Sequence, residues 1–309
     1  MTAADPAGRF EALPLSPCGL GESPFWHPDE AALYWIDIPG RAIHRWHPAG
    51  AGHTAWSLGD SPLDEPGCIA PLLGGRLLLA QRRGLRVFDT ATGRCGPLLA
   101  EAPYDTAHER FNDGKADAQG RLWVGTIYEP RDRAAGALYC WTGGRLNRVL
   151  GDVTVSNGLA FAQDGRGMLW SDTKAHRIDR LVLEAATGAV SARQPWKQFD
   201  LRDPAQPLST YGGRPDGAAI DCEGACWVAM FEGQRLLRLA PDGTLLSEWP
   251  LPVRCPTMPC FGGPDLKTLY LTTARHNRPA DELAEQPMAG CVLSLRVAVP
   301  GLPVHFAQG

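Results

Sequence analysis

Hydrophobic residues recur along the chain in short runs separated by polar turns, a pattern typical of β-strands joined by tight loops. The stretch 211–230 shows the unit. Residues 218–220 are a short apolar run, 221–224 a polar turn ending in glycine, and 226–230 a second apolar run. Asp216 stands just upstream of the first predicted strand. Six strand pairs of this kind are found: 33–37 with 42–46, 77–80 with 85–89, 122–125 with 137–141, 169–172 with 177–181, 226–229 with 235–239, and 269–272 with 291–295.

The first strand of each pair carries a large residue near its middle: Tyr34, Leu78, Trp123, Trp170, Trp227 and Tyr270. Successive members are about 44, 45, 47, 57 and 43 residues apart, which is the spacing of four-stranded propeller blades. The repeat predicts an all-β protein, a six-bladed β-propeller in which residues 1–309 are a single domain. The first dozen residues are too short for a domain and could supply a strand that closes the ring.

Turn residues support this count, because Gly-containing turns follow the second strand of five units, at 48–50, 90–93, 142–144, 186–188 and 241–243. Two longer segments, about 195–213 and 277–287, are predicted to be loops at a rim of the ring.

The composition argues against nucleic acid and membranes as partners. The 309 residues include 35 Gly and 27 Pro and carry a net charge of -4, which gives no basic surface for nucleic acid or an anionic membrane. No leader pattern and no run of eighteen apolar residues is present, so we expect a soluble, unexported, cytoplasmic protein. The nine scattered cysteines are then expected to be reduced thiols. Cys222 and Cys226 lack a second Cys/His pair that would complete a zinc site.

Candidate chemistry follows from the propeller register. The innermost strand of each blade lines the central channel, so equivalent positions near the starts of these strands face one mouth. Glu22, Asn157 and Asp216 occupy such positions in three different blades, and Arg110 and Asn112 join them from a fourth. Carboxylate and amide oxygens are ligands of hard divalent cations. The pattern therefore predicts a central metal site that leaves positions open for water or substrate.

Each residue also has an ordinary interpretation. Asn157 and Asp216 both precede glycine, and Asn-Gly and Asp-Gly are common turn dipeptides. Glu22, Arg110 and Asn112 could each be a solvated surface residue. The shared register across blades is what favours a site. Asp113 and Lys115 flank it, and the pattern leaves them as residues of the strand start or as support behind the ligands.

At these positions the sequence resembles the family of gluconolactonases, regucalcin (senescence marker protein) and luciferin-regenerating enzyme. The similar stretches run nearly end to end, in order: 21–26 (Gly-Glu-Ser-Pro-Phe-Trp), 110–115 (Arg-Phe-Asn-Asp-Gly-Lys), 125–126, 156–159 (Ser-Asn-Gly-Leu), 215–217 (Pro-Asp-Gly), 227–229, and 251–253 through 260–263 to 273–275. The resemblance implies a six-bladed propeller with one divalent cation in the channel, calcium, zinc, manganese or iron(II). It implies Glu22, Asn157 and Asp216 as metal ligands and Arg110 and Asn112 as substrate contacts. It adds Glu129, at or one residue from the place of a further substrate-binding glutamate.

The activity implied by the resemblance is hydrolysis of a sugar-acid lactone of the glucono-, xylono- or arabinonolactone type to the aldonic acid. The cation would polarise the lactone carbonyl and activate water, and Asp216 would take a proton from the attacking water. The small-molecule lactone is the expected partner. Two alternatives stay open: a calcium-binding or protein-interaction propeller without lactonase activity, and a related propeller esterase or phosphotriesterase.

Overall fold

The structure, a computed structural model, describes residues 8–50 and 52–309. Within these residues the chain forms 24 β-strands arranged in six four-stranded antiparallel sheets. A two-residue strand, β1 (Glu11–Ala12), comes first and belongs to the last blade. This confirms the predicted six-bladed β-propeller. That residues 1–309 are one domain stays a prediction.

Each of the first five blades is formed by four strands that are consecutive in sequence. Blade 1 contains β2 (Gly21–His27), β3 (Ala32–Asp37), β4 (Ala42–His47) and β5 (Gly52–Ser57); blade 2 contains β6 (Pro66–Leu72), β7 (Arg76–Gln81), β8 (Gly84–Asp89) and β9 (Arg94–Glu101); blade 3 contains β10 (Glu109–Ala116), β11 (Leu122–Tyr128), β12 (Gly136–Thr142) and β13 (Arg145–Val153). Blade 4 contains β14 (Ser156–Phe161), β15 (Gly167–Asp172), β16 (Arg177–Leu183) and β17 (Val190–Gln198); blade 5 contains β18 (Arg214–Ile220), β19 (Cys226–Phe231), β20 (Arg235–Leu239) and β21 (Leu245–Pro250).

Blade 6 joins the two ends of the chain. It contains β22 (Pro256–Gly262), β23 (Thr268–Thr273) and β24 (Leu293–Arg296), and β1 pairs with β24 as the outer strand, Glu11 opposite Ser294 and Ala12 opposite Leu293. The N-terminal segment therefore closes the ring, as the sequence allowed.

Large side chains between the blades form the core. The six marker residues all lie on the second strands of their blades and are 0–4% exposed: Tyr34, Leu78, Trp123, Trp170, Trp227 and Tyr270. Burying each such side chain stabilises the fold by about 1.5–3 kcal/mol. Because neighbouring sheets pack through these side chains, the blades hold the inner strands in fixed positions around the channel.

Two details differ from the sequence predictions. The segment expected to be a loop from 195 begins as strand, because β17 runs to Gln198, and only the following part carries a short 3₁₀ turn, Leu208–Thr210. The segment 277–287 contains one six-residue helix, α1 (Ala280–Glu285), and a further 3₁₀ turn lies at Pro62–Asp64. None of the helices in the described part of the chain is both long and apolar enough to cross a membrane. All nine cysteines are free thiols.

Candidate metal centre and active site

A cavity of about 420 Å³ at one mouth of the channel collects the predicted site residues. All six line it: Glu22, Arg110, Asn112, Glu129, Asn157 and Asp216. The sequence placed Asp216 just upstream of a strand, and the structure places it inside β18, as the third residue of that strand. The six residues therefore lie close together in one cavity, and their functional roles remain predictions.

A β-bulge explains how each inner strand turns its polar residue into the cavity. The pairing of the first two strands shifts register between Glu22 and Phe25 in blade 1, between Asn112 and Gly114 in blade 3, and between Asn157 and Ala160 in blade 4. In blade 5 the shift spans Asp216, between Pro215 and Ala218. A bulge bends the strand and re-aims one side chain, so the candidate ligands share a backbone irregularity as well as a register.

The three candidate metal ligands offer oxygen atoms with unused lone pairs. The Glu22 carboxylate accepts one long hydrogen bond, 3.4 Å from the Ser23 N–H. Asn157 Oδ1 accepts a hydrogen bond from Asn112 Nδ2 at 2.9 Å. Asn157 Nδ2 donates to Asp216 Oδ1 at 2.5 Å and to Thr173 Oγ1 at 2.9 Å. Thr173, which sequence reasoning missed, donates in turn to the Pro215 carbonyl and so ties blade 4 to blade 5.

Burial and mutual repulsion act strongly on the carboxylates. Burial, Asp216 and Asp113 raise the pKa of Glu22 well above its ordinary value. Burial and the Asp113 charge likewise raise the pKa of Asp216. Asp113 lies behind the site: its Oδ2 accepts the Leu159 N–H at 2.9 Å, and its buried Oδ1 has no hydrogen-bond partner among the described residues. Asp113 and Asp216 are buried and Glu22 is half-buried. Such a cluster of carboxylates is costly unless a cation compensates it, so the donor set fits a divalent ion.

Arg110 and Asn112 form a fixed chain of donors beside this set. Arg110 Nη1 donates to the Phe111 carbonyl and to Asn112 Oδ1, each at 2.9 Å, and Asn112 Nδ2 also donates to the Ser156 carbonyl at 2.9 Å. Arg110 Nε makes no hydrogen bond in the described structure. Both residues are 8% exposed, so their side chains are held in place before any ligand arrives.

Glu129 lies in the cavity wall, where it is bound by an arginine that the sequence did not single out. Its two carboxylate oxygens each accept a 2.8 Å hydrogen bond from Arg82, which also binds Glu65 Oε2 at 2.5 Å. Arg110 Nε is 3.6 Å from Glu129 and 3.9 Å from Glu65. Burial opposes the charge of Glu129, but the Arg82 guanidinium prevails and lowers the pKa of that carboxyl.

A different group, Cys18, Asp37 and His44, has its ligand atoms within 4.8 Å of one another and could also contact one cation. In the structure these atoms already have partners. The Asp37 carboxylate accepts the Gly19 and Leu20 N–H groups, and Cys18 Sγ accepts Trp35 Nε1 at 3.3 Å. Leu20 lines the main cavity, so Asp37 also supports the cavity wall.

The fold and the cavity together define a class: six-bladed propellers with a cluster of side-chain oxygen atoms at one mouth of the central channel. Residues 20–275 match the family described as SMP-30/Gluconolactonase/LRE-like region, and the chain belongs to that family. This confirms the resemblance stated from the sequence.

Similar proteins cover nearly the whole chain. A 6-deoxy-6-sulfogluconolactonase of Pseudomonas putida is 44% identical over 286 residues, which are 92% of this chain and 94% of the relative. A pentonolactonase of Haloferax volcanii is 35% identical over 296 residues, 93% and 94% of the two chains. The crystal structure of regucalcin, a calcium-binding protein of Agrobacterium tumefaciens, superimposes with a TM-score of 0.88 at 29% identity and 98% coverage of both chains. The lactonase names agree with the enzyme class predicted from the sequence.

Proposed function

We propose that this protein is a cation-dependent hydrolase that opens a sugar-acid lactone to the aldonic acid. The observation that carries the proposal is one cavity in which the oxygen donors of Glu22, Asn157 and Asp216 stand beside the fixed donors of Arg110 and Asn112. The family and two relatives with lactonase names support it. Candidate substrates are glucono-, xylono- and arabinonolactone, together with a gluconolactone that carries a sulfonate at C6, as the Pseudomonas putida name suggests.

Glu22, Asn157 and Asp216 would hold the cation. An oxygen-only donor set suits calcium and manganese and is compatible with zinc and iron(II), so the identity of the ion is left to measurement. When bound, the cation supplies Lewis acidity, which polarises an ester carbonyl and acidifies water.

The side chains of the protein orient the lactone and transfer the protons of the reaction. Arg110 would bind sugar hydroxyls through the guanidinium N–H groups that have no protein partner. Asn112 holds Arg110 through its Oδ1, and because its two N–H groups already donate to Ser156 and Asn157, it would contact a sugar hydroxyl only by exchanging one of these hydrogen bonds. Asp216 accepts a proton from the attacking water as the water oxygen bonds to the carbonyl carbon. The ring C–O bond breaks, the departing oxygen takes that proton from Asp216, and the product is the open-chain hydroxy acid. Leu20, Ile127 and Phe231 in the wall limit access of bulk water.

The test is a panel of lactones assayed with and without a chelator. We expect hydrolysis of at least one aldonolactone, loss of activity in chelator, and recovery on adding back a divalent ion. Turnover that is indifferent to a chelator, in protein shown to be metal-free, would refute the cation-dependent mechanism. Absence of turnover on every lactone would refute the lactonase function itself.

A second function has one specific support, the calcium-binding description of the similar Agrobacterium tumefaciens structure. The same ligand set could bind calcium without catalysis. The panel separates the two, because a pure calcium-binding protein takes up one ion per chain and hydrolyses none of the lactones.

A further inference from the structure

One side of the cavity carries positive charge that the protein does not neutralise. Arg131 and Lys174 line the cavity, and within residues 8–50 and 52–309 their charged ends make neither an ion pair nor a hydrogen bond. Arg214 also lines it. Its partner Glu232, 3.1 Å away, also contacts Arg278 at 3.0 Å. Arg278 and Arg254 both pair with Glu282, so two carboxylates serve three guanidinium groups. The surplus of cations stands on the loops and strand starts of blades 3, 4 and 5.

The backbone conformation of Arg131 places it beside these cations. Arg131 follows Pro130 in the loop between β11 and β12, and its N–H donates to the Tyr128 carbonyl at 3.1 Å. Its φ is 55°, in the left-handed region that costs a non-glycine residue on the order of 1 kcal/mol or more. Burial and the nearby charges of Arg214 and Arg110 lower the pKa of Arg131. A strained arginine is thus held close to two other arginines at the mouth of the cavity.

We propose that Arg131, Lys174 and Arg214 form a subsite for an anionic group, a sulfonate or a carboxylate, carried by the substrate at the end remote from the lactone carbonyl. This rests on the proposed function, since the carbonyl is taken to lie at Glu22, Asn157 and Asp216.

Spacing supports this arrangement. Arg214 lies two residues before Asp216 on β18, about 7 Å along an extended strand, and Lys174 directly follows Thr173, which binds Asn157. A six-carbon lactone with its reacting end at the ligands can therefore extend its last carbon to these cations. Glu232 offsets part of their charge, which favours a singly charged group over a dianion.

The experiment compares kcat/KM for 6-deoxy-6-sulfogluconolactone with kcat/KM for gluconolactone. The wild type is expected to prefer the charged lactone, and 0.5 M salt is expected to reduce the preference. Arg131→Met combined with Lys174→Met should lower the ratio at least tenfold, mainly through KM. Lactones carrying a carboxylate or a phosphate at the same carbon show which anion fits.

Arg133→Met is the matched control. Arg133 lies two residues along the same loop, is exposed, stacks over Tyr128 with its Cζ 4.7 Å from the ring centre, and does not line the cavity. The Arg133→Met variant also loses one arginine charge from this loop, and it should keep the wild-type ratio of the two kcat/KM values. Equal thermal unfolding of the three proteins checks that they are folded.

Gluconolactone turnover without any preference for the charged lactone, or a ratio unchanged in the double variant, would overturn the subsite and leave the proposed function standing. Should neither lactone be hydrolysed, the proposed function fails, and calorimetry with the ring-opened acids decides on the subsite. Tighter binding of 6-deoxy-6-sulfogluconate than of gluconate, lost in the double variant, would support it, and equal binding would overturn it.

Discussion

Replacing Arg82 with methionine tests whether the cavity wall keeps Arg110 in position for substrate. Arg82 binds both oxygens of Glu129 and one of Glu65, and both of those carboxylates lie within 4 Å of Arg110 Nε. Without Arg82 the two carboxylates lose their counterion. Arg110 Nε, which makes no hydrogen bond within the described residues, is then the nearest positive group. Movement of Arg110 toward the two carboxylates would weaken its hydrogen bond to Asn112.

The size of the effect follows from the interaction at risk. A hydrogen bond from a charged donor is worth about 1.5–3 kcal/mol, or roughly 10- to 150-fold in kcat/KM. The Glu129 side chain is 36% exposed and that of Glu65 21%, so solvent screens the pull of these carboxylates. We therefore expect a loss at the lower end, about tenfold, on a polyhydroxylated lactone.

The assay is kcat/KM on gluconolactone and on a plain aliphatic lactone, and Arg83→Met is the control. Arg83 is the next residue, pairs with Asp64 at 2.5 Å and does not line the cavity. Arg82→Met should lose activity selectively on the sugar lactone, and Arg83→Met should lose none. An equal loss on both lactones, or an equal loss in both variants, would show that Arg82 supports the fold and does not position Arg110.

Three further outcomes are expected. Asp216→Ala and Asn157→Ala should each lose bound cation and activity while the circular dichroism of the blades is kept; unchanged metal content in elemental analysis would contradict the ligand assignment. Arg110→Ala should lower kcat/KM on a sugar lactone by about tenfold or more and far less on an aliphatic lactone, and equal losses would place Arg110 on the ester. Burial raises the folded-state pKa of Glu22 and of Asp216 above the unfolded-state values of about 4. The metal-free protein should therefore lose stability as pH rises from about 4 through the raised values, and the gain in Tm on adding cation should grow over that window; a flat profile in thermal melts would count against it.

The repeat in the sequence was enough to predict the blades and the register of the site, because both depend on periodic patterns. Trp123, Trp170 and Trp227 mark equivalent strands, and the inner-strand positions relative to them include Glu22, Asn157 and Asp216. Ring closure by β1 had no comparable signal, since only two residues pair with β24 across most of the chain length.

Loop contributions were not predictable in the same way. Arg82 reaches Glu129 and Glu65 in the cavity wall from the hairpin turn between β7 and β8, in a blade whose inner strand supplies no candidate ligand. Arg131 depends on the backbone conformation after Pro130. Such side chains are placed by turn geometry and by contacts between blades, and neither leaves a periodic trace in the sequence. The bulges in the inner strands also have no recognisable sequence pattern, although they determine where the side chains of Glu22 and Asp216 point.

The most direct test of the account is a titration of metal-free protein with a divalent cation while lactone hydrolysis is recorded. If Glu22, Asn157 and Asp216 hold one ion that activity requires, the rate rises linearly and breaks at one equivalent per chain, and Asp216→Ala shows no rise over that range. Full activity before any cation is added, or the same break in Asp216→Ala, would contradict a catalytic cation at these residues.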